Sequence, residues 1–544
     1  MNLLEVNDYQ VSEVGPTLLT SWQACRAVLT SAIKGYLGAC KKIELSRLEL
    51  ADRELGPIFE AADKELAGLI AEEEALRTAR IALCATRNTS KQLAPLHCLP
   101  VELLTRIFGM AQEAFQDNPR ASLPPVPMCA SVSTYWRRVA LSAPLLWTYV
   151  DIDAVEPNEY LDLALVRSQQ HPIYLRISDP VDTTDDGGLE SLLFSLEEVS
   201  PQIGVLEIVP SVPSPGYVQG VLEEMLHTAS NKALSTLYIH RTLSNYPYPP
   251  PPLVWDLNSG DAGSLLQSLT VLHLKNVFLP WGSMAYRHLL DLRLETSLGF
   301  DEHSVTSLQF RTILASSPQL STLKLSRVSI THTPDEDVEI QPVILPCLEL
   351  LYIGNLDPES WTIILSLINS SGCADNMSIG FDRLPPNLAN LIEDFFRGLR
   401  LATLMCSACD DDSPLWILLL IMRASVGVKS LILAWFGPIH PAEAHILTSV
   451  MQVDTSHCSV EHLFIASGYT SLTDLAFIIP AFSVKAVHLD DCTVIDQTNK
   501  DGPRDLDTLA NRLLGDFPGL KLAISNVDTT LQWPCRRMFD RWTC

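Results

Sequence analysis

From about residue 170 onward one short hydrophobic pattern recurs, apolar–x–x–apolar–x–apolar. It occurs as Val205-Leu206-Glu207-Ile208, then over Leu234–Ile239, Leu269–Leu274, Leu289–Leu294, Leu320–Leu325 and Leu348–Ile353. Further copies are Leu401–Cys406, Val428–Leu433, Val460–Ile465 and Val484–Leu489, with a weaker one ending at Ile524. Apolar residues two apart, bounded by polar turns, predict short strands with one buried side. The fourth positions of most neighbouring copies lie roughly 20 to 35 residues apart, enough for a strand and a returning helix or loop. The step from Leu351 to Leu404 is about double, and Asn376-Met377-Ser378-Ile379 reads as a degenerate copy inside it. A strand of this kind cannot stand alone; stacking parallel neighbours gives one continuous core. A generic α/β domain of alternating strands and helices is the alternative, because the copies lack a regular asparagine ladder.

The first 150 residues follow helical spacing instead. Residues 17–40 read as a weakly amphipathic helix. Leu48, Leu55, Ala62, Leu69, Leu76 and Leu83 then recur every seventh position, with Phe59 and Leu66 at intermediate ones. Gly56-Pro57 predicts a break, and Glu73 and Arg80 occupy expected apolar positions, so a long coiled coil fits poorly. A helical hairpin or a single packed helix fits better, with weak dimerisation as the alternative. In Leu99-Pro100-Val101-Glu102-Leu103-Leu104-Thr105-Arg106-Ile107-Phe108, Pro100 suits a first helical turn and Glu102 complements the helix dipole. Leu103 pairs with Ile107, and Leu104 with Phe108, each four apart. Val132 and Trp136, then Leu145-Leu146-Trp147, complete three apolar clusters, with Gln112–Pro127 predicted as a surface loop.

Those three clusters, at those spacings, resemble an F-box, the helical module that docks on a Skp-family adaptor of an SCF-type ubiquitin ligase. The preceding helix is similar to that of F-box proteins of mushroom-forming fungi. Ser133 and Thr134 depart from the family pattern, which often has a Cys or basic residue after the valine. The period near 30 resembles irregular leucine-rich repeats. Together the resemblances imply a multidomain chain: an all-α N-terminal region over 1–92, a helical F-box over 93–150, and an α/β leucine-rich-repeat-like solenoid over 151–544. They imply that Leu99, Pro100, Leu103, Leu104, Ile107, Phe108, Val132 and Trp136 form or support the adaptor interface. The adaptor would link the chain to a cullin, while the repeats bind a protein substrate, in cytoplasm or nucleus. A non-ligase repeat scaffold is the rival reading. In a solenoid of this kind, residues flanking the buried strand positions face the concave side. That places Tyr238, His240, His273, Lys275, Arg293 and Lys324 there, followed by Tyr352, Ile432, Phe464 and His488. This basic-then-apolar stripe predicts capture of an acidic or phosphorylated protein segment.

Composition narrows the classes. At 544 residues the chain exceeds one core. A formal net charge of −26 argues against nucleic-acid or anionic-membrane partners. The acidic start predicts no secretory signal, and the apolar run Leu415–Met422 is too short to span a bilayer. Thirteen scattered cysteines read as reduced, mostly buried thiols. Cys406-Ser407-Ala408-Cys409 fits the repeat register better than a metal or redox site, and Asp410-Asp411-Asp412 lacks a calcium-loop pattern. Tyr246–Pro252 reads as an exposed polyproline-like loop and Thr331–Asp337 as an acidic turn. No nucleotide, nucleophile-elbow or metalloprotease motif occurs. The expectation is therefore a non-enzymatic chain needing no cofactor.

Overall fold

The computed structural model describes residues 14–46, 52–89, 95–117, 125–153, 159–178, 200–209, 234–241, 253–254, 266–296, 304–332, 341–369, 377–382, 385–397, 399–407, 415–425, 427–434, 459–466, 469–490, 493–495 and 513–525, with 196, 221–222, 373 and 511 besides. The recurring apolar positions become strands: β1 Tyr149–Asp153, β2 Ile173–Ser178, β3 Ile203–Val209, β4 Thr236–His240, β5 Val271–Lys275, β6 Asp291–Glu295, β7 Thr322–Ser326, β8 Leu350–Gly354, β9 Met377–Phe381, β10 Leu401–Ser407, β11 Ser430–Ala434, β12 His462–Ala466, β13 Ala486–Asp490 and β14 Lys521–Ser525. They pair in chain order into one 14-stranded, wholly parallel sheet. One strand per repeat, each laid beside its predecessor, is solenoid topology and not a doubly wound sheet.

The register shows what drives the stacking. Val150, Leu175, Leu206, Leu237, Leu272, Leu292, Leu323, Leu351, Ile379, Leu404, Leu431, Leu463, Val487 and Leu522 form an unbroken cross-strand row. A second apolar row, two residues later, runs from Ile152 to Ile524. All of the first row except Leu522 is buried, and each fully buried side chain stabilises by roughly 1.5–3 kcal/mol. Cys406 occupies the second row between Phe381 and Leu433, which accounts for its place in the CxxC; Cys409 lies outside the described residues.

Helices cover the core side: α6 Glu159–Ser168, α7 Ser307–Ala315, α8 Pro358–Leu367, α9 Ala389–Phe396, α10 Leu415–Ala424 and α11 Leu472–Ala481. Phe310 and Leu314 of α7, and Trp361 and Ile364 of α8, enter the same core as the two rows. Their starts are written locally. Thr306 Oγ1 accepts from Gln309 N at 3.2 Å while Gln309 Oε1 accepts from Thr306 N, and Asp357 Oδ1 accepts from Ser360 N at 2.8 Å. Asn276 and Asn355 follow β5 and β8 with φ of 56° and 50°, a left-handed turn that asparagine tolerates. Asn276 Nδ2 donates to Arg241 O at 2.9 Å, so an asparagine contact between repeats exists here without recurring regularly.

The chain divides into two compact units, Met1–Pro100 and Val101–Cys544. The first holds α1 Val14–Ser46 and α2 Asp52–Thr89. Gly56-Pro57 does not break α2: Pro57 stands so near the N-terminus that it forfeits one hydrogen bond without dividing the helix. The second unit opens with α3 Val101–Asp117, α4 Pro125–Val132 and α5 Thr134–Ser142. Of the loop predicted over Gln112–Pro127, residues 112–117 and 125–127 are helical, with Gln112 buried on α3, and 118–124 lie outside the described residues. The sheet also begins earlier than expected. Trp147 donates its indole N–H to Ala140 O at 2.8 Å, packs against Tyr160 and leads directly into β1, so the helices and the sheet share one unit without a boundary at 150. Tyr246–Pro252 and most of the acidic turn lie outside the described residues.

Candidate functional site

Two surfaces carry the sequence-predicted residues. On α3, Leu104 and Phe108 are buried, at 0% and 1% exposure, and the Phe108 ring meets Trp136 of α5 at 5.0 Å between centroids. Ser133 caps α5, its side chain accepting from Trp136 N at 3.1 Å, and this fixes the tryptophan against α3. The departure from the family pattern at Ser133 is therefore a helix cap. Leu103 and Ile107 face the other way, at 48% and 44% exposure. Met110 continues their stripe one turn on, and Met128 and Val132 of α4 and Leu145 are exposed as well. Of the predicted adaptor residues, Leu103, Ile107 and Val132 are exposed, Trp136 is half-buried, and Leu104 and Phe108 are buried beneath them. Leu99, half-buried, and Pro100, exposed, close the preceding unit. Met110 and Met128 escaped the sequence reading, although Met110 follows the same three-and-four spacing.

The second surface is the sheet face turned from the main core. Along one register row run Arg176, Glu207, Tyr238, His273, Arg293, Lys324, Tyr352, Gly380, Met405, Ile432, Phe464 and His488. Tyr238, His273, Arg293, Lys324 and Tyr352 are successive neighbours in it, Phe464 stands four strands beyond Tyr352, and Lys275 stands two residues further along the strand of His273. The expected open basic stripe is corrected in its accessibility and charge. His273, Arg293, Lys324 and Phe464 are buried, and Tyr238 and Tyr352 are half-buried.

Carboxylates that the sequence reading passed over neutralise the basic half. Arg293 grips Asp291 through Nε at 3.0 Å and Nη2 at 2.8 Å, and His273 Nε2 lies 3.2 Å from the same carboxylate. Lys275 pairs with Glu295 at 3.2 Å, and His240 lies 3.8 Å from Glu207. Burial works against the charge on Arg176, but Glu207 and Asp151 on its two sides outweigh it. Burial alone would raise the Asp291 carboxyl; hydrogen bonds from His273 and Arg293 overcome it and hold the group at about 2. Burial pushes His273 down to about 3, so a neutral imidazole faces that carboxylate. Strand alternation placed Asp291 beside Arg293 in plain view, whereas Glu207 and Glu295 needed the register.

Further along, Asp382 accepts from the Tyr352 and Ser407 hydroxyls and from Asn355 Nδ2 at 2.8 Å. Leu350, Met405, Ile432, Ala434, Phe464 and Ala466 then form a separate apolar cluster with Tyr352 packed on it. At its end His488 stacks on Phe464 at 4.4 Å, and its Nε2 lies 3.1 Å from His462 Nδ1. Among the described residues no group of three or more His, Cys, Asp or Glu is placed to hold a metal ion, and no helix is long and apolar enough to cross a membrane.

No protein-family model and no curated protein matches the chain. Among solved structures, an internalin from Listeria monocytogenes is similar at 13% identity, over 60% of this chain and 82% of that one, with a TM-score of 0.26. The cross-strand rows themselves define the region from β1 to β14 as a leucine-rich-repeat-like solenoid, an architecture that presents a long interaction surface.

Proposed function

We propose that this chain is the substrate-recruiting subunit of an SCF-type ubiquitin ligase, with α3 to α5 docking on a Skp-family adaptor that leads to a cullin, and the repeats holding a target protein. The observation that supports it is the division of α3: Leu104 and Phe108 are spent on internal packing, while Leu103 and Ile107 stand in solvent beside the exposed apolar residues of α4. Leucine and isoleucine at about half exposure, repeated on packed helices, are what a docking face offers. The chain positions and does not catalyse. Two binding surfaces on one polypeptide raise the effective concentration of target lysines near a ubiquitin-charged enzyme carried by other subunits. Such work needs no cofactor and belongs in cytoplasm or nucleus. On the repeat face, the edges of the half-buried Tyr238 and Tyr352 offer contact, and the buried Arg293, Lys324 and His273 hold the row in place.

The test is capture of a purified Skp-family adaptor by the full chain, beside Leu103→Lys with Ile107→Lys. Binding by the native chain that drops at least tenfold in a folded double variant supports the reading. Absence of binding by the folded native chain overturns it, and leaves the repeat region as a protein-interaction scaffold outside any ligase.

A further inference from the structure

The helices α1 and α2 are 33 and 38 residues long, lengths that draw their stability from packing. Half of the large exposed apolar side chains among the described residues nevertheless lie on these two helices. They fall in heptad register. On α1, Trp22, Leu29, Tyr36 and Ile43 are spaced by seven and exposed. On α2, Leu69, Leu76 and Leu83 repeat the spacing, also exposed. Both helices therefore turn an apolar seam to solvent.

Charge selects what closes it. The α1 helix carries Arg26, Lys34, Lys41 and Lys42 against Glu44, a net of three positive charges. The α2 helix carries eight carboxylates against five basic side chains, a net of three negative. A second α1 against α1 is disfavoured, and α2 against α1 is favoured on both flanks. Apolar width beyond a strict two-helix seam, from Val28, Ile33, Leu66 and Ile70 beside the heptad positions, fits a bundle of four. Glu73 and Arg80, which spoil a two-stranded coiled coil, fit the rim of such a bundle.

We infer that α1 and α2 form half of a four-helix bundle completed by a second copy of this chain, each α1 packing against both its own α2 and the α2 of the other copy. The experiment is sedimentation equilibrium of the full chain at micromolar concentration. The expected mass is twice the 60.1 kDa of one copy, falling toward one copy on dilution. Leu29→Lys with Leu69→Lys should give the single-copy mass with the sheet's thermal transition unmoved. Because lysine at a seam can also loosen a helix, Leu29→Ala with Leu69→Ala and Leu76→Ala is measured beside it. Alanine favours helix, so helicity should hold while the dimer weakens at least tenfold. A single-copy mass at tens of micromolar with full helicity overturns the inference. So does a double-copy mass that survives both variants, since the contact would then lie elsewhere.

Discussion

The Phe108 ring lies 5.0 Å from that of Trp136, tilted by 55°, and this contact sets which side of α3 is structural and which is free. Phe108 at 1% exposure has no surface to give a partner, whereas Ile107 at 44% contributes little to the interior. Phe108→Ala should therefore destabilise by about 3–5 kcal/mol, and Ile107→Ala by less than about 1 kcal/mol. Urea denaturation followed by tryptophan fluorescence separates them. Equal losses would show that the inner and outer faces are wrongly assigned. A partner lost in Phe108→Ala reports unfolding; only the outer residues test docking.

Most of the sheet is legible in the sequence because each repeat spends its fourth and sixth positions on one apolar face, a period-two signal that survives loops of any length. Even the degenerate copy at Ile379 holds register as β9. The first two strands escaped for a definable reason. The leading apolar position is filled by Trp147 before β1, where it also finishes a helical turn, and by Pro172 before β2. The row from Tyr238 to Phe464 was also legible, since side chains between core positions must share the other face. Its charge state was not. Whether Lys275 and His240 are free depends on Glu295 and Glu207 of neighbouring strands, a relation fixed by register across some 20 to 35 intervening residues.

The buried Arg293–Asp291 pair should behave as structure and not as a recruiting charge. Removing one partner strands the other without solvent, so Arg293→Met is expected to cost roughly 3–5 kcal/mol. Arg293→Met with Asp291→Asn should recover more than half of that, because no ion is then left unpaired. The quantity to measure is the denaturation midpoint of the three chains. A neutral single variant would mean that the guanidinium is solvated and available after all.

Gly354 is required by space. A Cβ there would come within 2.7 Å of Asp382 Oδ2, 3.0 Å of the Tyr352 ring and 3.1 Å of Ser326 Oγ. Asp382 cannot swing aside cheaply, because Tyr352, Ser407 and Asn355 all donate to it. Gly354→Ala is therefore expected to lower stability by about 1–3 kcal/mol, although alanine stiffens the unfolded chain. Calorimetry of the two chains decides it; an unchanged or raised melting temperature would show that the carboxylate moves freely.

His273 gives the sheet a pH dependence whose sign follows from its burial. The folded imidazole sits at about 3, far below the ordinary histidine value near 6.5. Between those limits the unfolded chain binds a proton that the folded chain refuses, so stability rises with pH and is lost as pH falls from about 6.5. The slope from this residue approaches at most about 1.4 kcal/mol per pH unit. Asp291, held at about 2, adds its own loss as pH falls below about 5, so the interval from 6.5 to 5 is where the histidine is read against its variant. His273→Asn removes the titration and should flatten the curve there, even if its stability at pH 7.5 is lower. Denaturation midpoints of both chains at half-unit steps read the difference directly. Parallel curves would show that His273 takes up its proton in the folded state, and that the row around Asp291 opens to solvent more readily than its packing implies.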